Sequence, residues 1–171
     1  LDQLERLARI EPGSAIAGHL DLQHVGIVGH SLGGATAVQA MAGDPRFRVG
    51  VNLDGKLFGS EPDARLERPF LWIQSDLTQT AEYTDTRDRF LASQQGRATL
   101  LTIRKSMHLG FTDDPSYLTP LGRDLVGAKA GMGSISLADM TTMTGDAISA
   151  FVAPFLGVGA ERSLDEVVVR H

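Results

Sequence analysis

Residues 24–40 read HVGIVGHSLGGATAVQA, and the fold turns on them. His24 to Gly29 is short, apolar and β-branched, which suits a strand buried on both faces. Ser31-Leu32-Gly33-Gly34 is a sharp turn. Ala35 to Ala42 follows as a helix of small residues that ends near Gly43-Asp44-Pro45. Gly34, Ala35 and Ala37 let that helix lie close to a sheet. A buried strand running straight into a helix is the start of a parallel α/β layer.

The flanking sequence repeats the pattern. Upstream, Leu1, Leu4, Leu7 and Ile10 recur every three residues, so Leu1 to Ile10 reads as the end of an amphipathic helix. Downstream, Val49–Leu53, Phe70–Gln74 and Ala98–Ile103 are three more apolar strands. A polar loop, Asp54–Pro69, separates the first two. A surface helix over Ala81–Gln95 separates the last two. Lys105–Leu118 reads as a loop, and Thr119–Gly133 shows no clear element. Ser136 to Leu156 is the best helix: Ser136 and Asp139 form a capping box, and Met140, Met143, Ala147, Ile148, Phe151, Val152 and Phe155 form an i, i+3, i+4 stripe. Pro154 ends or kinks it. The Met140–Met143 part of the stripe and mid-strand Trp72 read as core. Alternating helices and continuous apolar strands predict a parallel sheet flanked by helices.

The chain has 171 residues, 42% hydrophobic and 22% charged, which fits one domain over 1–171. Without cysteine, thiol catalysis and cysteine-ligated metal are excluded. The histidines lack ligand spacing and the carboxylates show no calcium-loop pattern, so no metal and no cofactor are expected. A net charge of −5 argues against a nucleic-acid partner. No apolar run approaches the ~18 residues of a membrane span. The composition does not locate the protein; secretion is preferred to the cytoplasm.

Gly29-His30-Ser31-Leu32-Gly33 is a G-x-S-x-G at residues 29–33. The bare pattern is weak, but here it follows a strand and opens a helix, as a nucleophile elbow requires. The backbone at Ser31 is expected to be strained, with glycine at 29 and 33 removing collisions. A glycine-rich turn with a serine N-cap is the plainer alternative. A serine nucleophile needs a base. Of five histidines, His30 sits inside the elbow and is expected to point away from the reacting face of Ser31. His19 and His24 belong at the far end of the strand, and His171 is terminal. His108 lies in a loop after the fourth strand, at the edge where active crevices form. The order serine, acid, histidine is that of α/β-hydrolases. Two aspartates compete as the acid that orients His108: Asp54, which ends the second strand, and Asp76, which follows the third. Spacing alone slightly prefers Asp76.

Residues 29–59, GHSLGGATAVQAMAGDPRFRVGVNLDGKLFG, resemble the platelet-activating-factor acetylhydrolase family and its bacterial relatives. There a G-H-S-x-G-G-A-T elbow is followed by D-x-R-F (Asp44, Arg46, Phe47) and L-D-x-x-x-F (Leu53, Asp54, Phe58). A later H-x-x-F-x-D matches His108, Phe111 and Asp113. The resemblance runs from Leu22 to Leu156 and is loose after Leu118. It implies an α/β-hydrolase fold with Ser31 as nucleophile, Asp54 as acid and His108 as base, and so prefers Asp54 to Asp76. The backbone N–H of Leu32 is the expected oxyanion donor. The function implied is a serine carboxylic-ester hydrolase of acetylhydrolase or lipase type, acting on a small-molecule or lipid ester. The alternatives are a non-catalytic C-terminal fragment and an amide hydrolase of the same fold.

In that family roughly half the fold precedes the elbow strand, whereas 30 residues precede Ser31 here. The chain is therefore read as the C-terminal part of an α/β-hydrolase that lacks its N-terminal strands. The loop that supplies the other oxyanion donor goes with them, at a cost of roughly 3 kcal/mol in transition-state stabilisation. The 24–29 strand carries no charge or proline to protect an open edge. An upstream segment or a second chain is expected to pair with it.

Overall fold

A computed structural model describes residues 1–10, 18–77, 79–127, 129–159 and 162–166. His171 lies outside the described residues. The elements in chain order are α1 (Asp2–Ile10), β1 (Val25–His30), α2 (Leu32–Gly43), β2 (Phe47–Leu53), β3 (Phe70–Ser75), α3 (Ala81–Ala92), β4 (Ala98–Ile103), α4 (Pro120–Val126) and α5 (Leu137–Val152). The strands form one parallel sheet in the order β1-β2-β3-β4. No described helix is long and apolar enough to cross a membrane.

Strand alternation sorts the side chains into two cores. Val49, Val51, Leu53, Leu71 and Ile73 pack on one face with Met140, Ala147 and Phe151 of α5. Phe70 and Trp72 pack on the other with Ala35, Val38 and Met41 of α2 and Tyr83 and Phe90 of α3. The α5 stripe is thus core. Its capping box is also in place, with the Asp139 N–H donating to Ser136 Oγ at 3.0 Å. Regular α-helix stops at Val152, and Pro154 falls inside a 3-10 turn over Ala153–Phe155, because proline has no N–H to continue the ladder.

Several boundaries differ from the sequence reading. The elbow strand is Val25–His30 rather than 24–29. The second helix begins at Leu32, directly after the serine, so the sharp turn is confined to Ser31. Asp54–Pro69 is not simply polar: Leu57 and Leu66 are buried and anchor it under the sheet. Lys105–Leu118 holds two 3-10 turns, His108–Phe111 and Asp114–Tyr117, and Thr119–Gly133 contains α4.

Asp44 and Arg46 work at the opposite end of the sheet from Ser31. Arg46 Nε donates to Asp44 Oδ1 at 2.9 Å, and its Nη1 pairs with Asp2 (2.6 Å) and Glu5 (3.0 Å) of α1. That contact holds the Asp44 carboxyl down at about 2 and ties α1 to the start of β2. Among the described residues β1 pairs with β2 and with no other strand, and Val28 on it is 47% exposed.

Candidate active site

All parallel strands point their carboxyl ends the same way, so the turns after β1, β2 and β4 converge at one edge. Three non-glycine residues in the described chain have positive φ: Ser31 (58°), Asp54 (52°) and Lys105 (61°). Each follows one of those strands. Backbone in this region costs of order 1 kcal/mol or more for a residue with a Cβ, and it persists where the surroundings hold it.

The Ser31 turn is held from below. Its N–H donates to Leu53 O at 2.9 Å, and its carbonyl accepts from Gly34 N at 2.9 Å. A Cβ at Gly29 would overlap the Gly33 carbonyl, so Gly29 is required. Gly33 is not required in the same way, because a Cβ there would meet open space. The crowding that the sequence reading placed at 33 falls on Gly34, where a Cβ would overlap the amide of Asn52. Ser31 occupies the N-cap position of α2, yet its hydroxyl makes no capping hydrogen bond. The hydroxyl is turned instead to His108.

Asp54 sits in a turn braced by a side chain that the sequence reading passed over. Asn52 is buried; its Nδ2 donates to Gly55 O at 2.8 Å and its Oδ1 accepts from Gly55 N at 2.7 Å. The asparagine at the end of an apolar strand, two before the acid, was the available signal. Asp54 itself is 4% exposed. Burying a carboxylate is costly unless donors replace water. Here Oδ1 accepts from Ser75 N (2.9 Å) and Gln79 Nε2 (3.1 Å), and Oδ2 accepts from Ser75 Oγ (2.9 Å). Tyr83 OH stands 3.4 Å from Oδ1 and also accepts from Trp72 Nε1 at 2.8 Å. Burial, and then the Asp54 charge, raise the Tyr83 phenol well above its ordinary pKa.

His108 opens the 3-10 turn after β4. The loop before it is fixed by Ser106 Oγ donating to Ile103 O at 2.6 Å and by Ser134 N donating to Lys105 O at 2.8 Å. Leu109 N donates to Gly131 O at 2.8 Å, so the glycine-rich segment that resisted assignment is the support of this loop.

These elements bring Ser31, His108 and Asp54 together. Ser31 Oγ and His108 Nε2 are 2.9 Å apart, and His108 Nδ1 is 2.9 Å from Asp54 Oδ2. A carboxylate only accepts, so Nδ1 carries the proton and Nε2 is left to accept from the serine. This is a Ser-His-Asp triad of serine-hydrolase geometry. Asp76 stands exposed past the end of β3, one strand further from β1, while Asp54 meets His108. His19 and His24 are exposed, and His24 pairs with Asp21 at 2.7 Å, away from the triad. His30 turns from Ser31 but comes to rest against His108, a contact the sequence did not announce.

Ser31 and His108 open onto a cleft of about 530 Å³. Leu32 (70% exposed) and Phe58 form apolar walls, and the Lys56 ammonium lies 5.3 Å over the Phe58 ring. Leu32 is the first residue of α2, where a backbone N–H has no acceptor within the helix. Phe111 packs into the α5 core, and Asp113 is an exposed residue at the start of the next 3-10 turn.

Comparison with known proteins agrees with this geometry. Over 100 residues the chain is 35% identical to the platelet-activating factor acetylhydrolase of Cavia porcellus, which covers 57% of this chain and 23% of that protein. Over 97 residues it is 35% identical to the Bos taurus protein of the same name, covering 55% and 21%. The chain thus aligns with less than a quarter of the length of these relatives. A solved ferulic acid esterase from Streptomyces cinnamoneus superposes with a TM-score of 0.75 at 26% identity, over 94% of this chain and 49% of that one. The family described as platelet-activating factor acetylhydrolase, isoform II, matches residues 13–151, and the chain belongs to that family.

Proposed function

We propose that this chain carries the catalytic centre of a serine carboxylic-ester hydrolase acting on short or truncated acyl esters. The observation that carries the reading is the continuous chain Ser31 Oγ–His108–Asp54, both links 2.9 Å. Ser31 Oγ attacks the ester carbonyl while His108 Nε2 takes its proton. Asp54 keeps the His108 tautomer and faces the imidazolium that forms. The developing oxyanion is placed at the start of α2, where the Leu32 N–H and the positive end of the helix dipole stabilise it. The tetrahedral intermediate collapses as His108 protonates the leaving alcohol. Water, deprotonated by His108, then attacks the acyl-enzyme and releases the acid and Ser31.

The apolar walls at Leu32 and Phe58 suit the hydrocarbon part of an acyl ester, and the similar proteins include acetylhydrolases and a ferulic acid esterase. Phospholipid-like acetyl esters are the first substrates to assay. Among the described residues β1 pairs on one side only, with Val28 exposed, which supports a further reading: an upstream segment or second chain pairs with that strand and supplies the other oxyanion donor.

A fluorophosphonate probe tests the proposal. It is expected to label Ser31 in the unsubstituted chain and to leave Ser31→Ala unlabelled, and acetyl esters are expected to be cleaved far faster than the matching acetamides. Absence of labelling under conditions where the protein is folded would overturn the catalytic reading. Equal rates on ester and amide would overturn the ester assignment.

A further inference from the structure

His30 is joined to Ser31 by a peptide bond and touches His108 across 78 residues of sequence. Its Nε2 lies 3.0 Å from the His108 carbonyl oxygen, and the two imidazoles have centroids 4.6 Å apart at 37°. Phe111 lies beyond, with its ring centroid 6.0 Å from that of His30. A carbonyl only accepts, so His30 carries its proton on Nε2 and donates it.

A closed mechanical ring results. One arm runs from the Ser31 backbone through Oγ to the His108 imidazole. The other runs from the same backbone through the His30 side chain to the His108 carbonyl. The side-chain bonds to Asp54 and Ser31 orient the imidazole, and the Ser134 N–Lys105 O and Leu109 N–Gly131 O bonds hold the loop on either side of it; His30 ties the His108 peptide itself, whose displacement would carry the ring away from Ser31. We propose that His30 is a positioning residue for the general base, its Nε2–H fixing the His108 backbone so that Nε2 of His108 stays at hydrogen-bonding distance from Ser31. This inference rests on the triad reading given above. Burial, and then the neighbouring His108 charge, lower the proton affinity of His30, in keeping with a neutral ring that does not repel an imidazolium beside it. A misplacement of about 1 Å costs on the order of 10²-fold in rate, so this bond has a kinetic signature beyond its effect on stability.

Two substitutions separate the donor from the ring. His30→Phe keeps the stack and removes the N–H; His30→Gln removes the ring and keeps a donor near the Nε2 position. Both are measured for fluorophosphonate labelling rate, for thermal melting, and for the low-field Nδ1–H signal of His108 in ¹⁵N-histidine-labelled protein. His30→Phe is expected to label about 10- to 100-fold more slowly and to shift or broaden the His108 signal. His30→Gln is expected to recover most of the rate and the signal at a similar melting temperature. If His30→Phe does not fold, His30→Leu serves as the donor-free variant. The proposal is overturned if the donor-free variant labels at the unsubstituted rate with its signal unchanged, or if His30→Gln is as impaired as that variant. If the unsubstituted chain does not label, the triad reading fails, and the His108 signal in the two variants still decides the positioning role.

Discussion

Asp54→Asn tests the site most sharply, because the outcome follows from which donors face each carboxylate oxygen. Oδ1 accepts from the backbone N–H of Ser75 and from Gln79 Nε2. A backbone donor cannot reverse, so the asparagine carbonyl must take that place. Its amino group then falls at the Oδ2 position, facing Ser75 Oγ and His108 Nδ1. The Ser75 hydroxyl can rotate and accept. The imidazole can meet an N–H donor only by moving its own proton from Nδ1 to Nε2. In that tautomer Nε2 points an N–H at Ser31 Oγ, 2.9 Å away, and cannot receive the serine proton. Loss of the correct tautomer in a serine triad costs about 10⁴-fold, or ~5.4 kcal/mol of transition-state stabilisation. Turnover of an acetyl ester and the labelling rate of Ser31 are both expected to fall by that order, with melting little changed because the replacement is isosteric. Asp76→Asn, at an exposed position, is expected to stay within about two-fold. Retention of a tenth or more of the activity by Asp54→Asn would refute the tautomer argument, as would an equal loss in Asp76→Asn.

The other expectations are simpler. Ser31→Ala abolishes esterase activity and leaves the melting temperature within a few degrees, since the hydroxyl caps no helix; His108→Ala lowers turnover by roughly 10³-fold or more. Tyr83→Phe leaves the buried Trp72 indole N–H without its 2.8 Å acceptor and destabilises by about 1–3 kcal/mol in denaturant titration. The same substitution changes the alkaline limb. Above pH ~10 the unfolded Tyr83 has lost its proton while the native phenol, with its raised pKa, keeps it, so native stability falls as pH rises. Tyr83→Phe is expected to remove that slope, and an unaltered slope would show that another group causes it. Among the described residues β1 is paired on one side only, which predicts self-association or poor solubility of the chain, or low activity, measured by sedimentation with an acetyl-ester assay; a soluble monomer with full activity would end the idea that a further strand is needed.

Much of this protein is local in origin and was legible from sequence. The elbow is a short-range object: an apolar run, glycine at 29, serine, and small residues entering a helix all act within a dozen residues. The α5 stripe and its Ser136–Asp139 box are equally local, because i, i+3 and i+4 neighbours meet on any helix. The order serine, aspartate, histidine is also fixed by the chain itself.

Sheet register and turn contacts decided the rest. Asp54 and Asp76 both follow strands; linear spacing slightly prefers Asp76, and the resemblance prefers Asp54. In the folded chain β2 lies beside β1 while β3 lies one strand further, a step of about 4.8 Å, and the positive φ of Asp54 belongs to the turn that faces His108. Gly34 is crowded chiefly because Asn52 arrives beside it, and a Cβ at Gly55 would meet the Ser31 carbonyl. His30 touches His108 only because β1 and the loop after β4 end at the same edge of the sheet. Sequence periodicity records which face of an element is apolar. It does not record which residues of distant turns meet, since that depends on strand order, on register and on the few ångströms by which the turns approach one another.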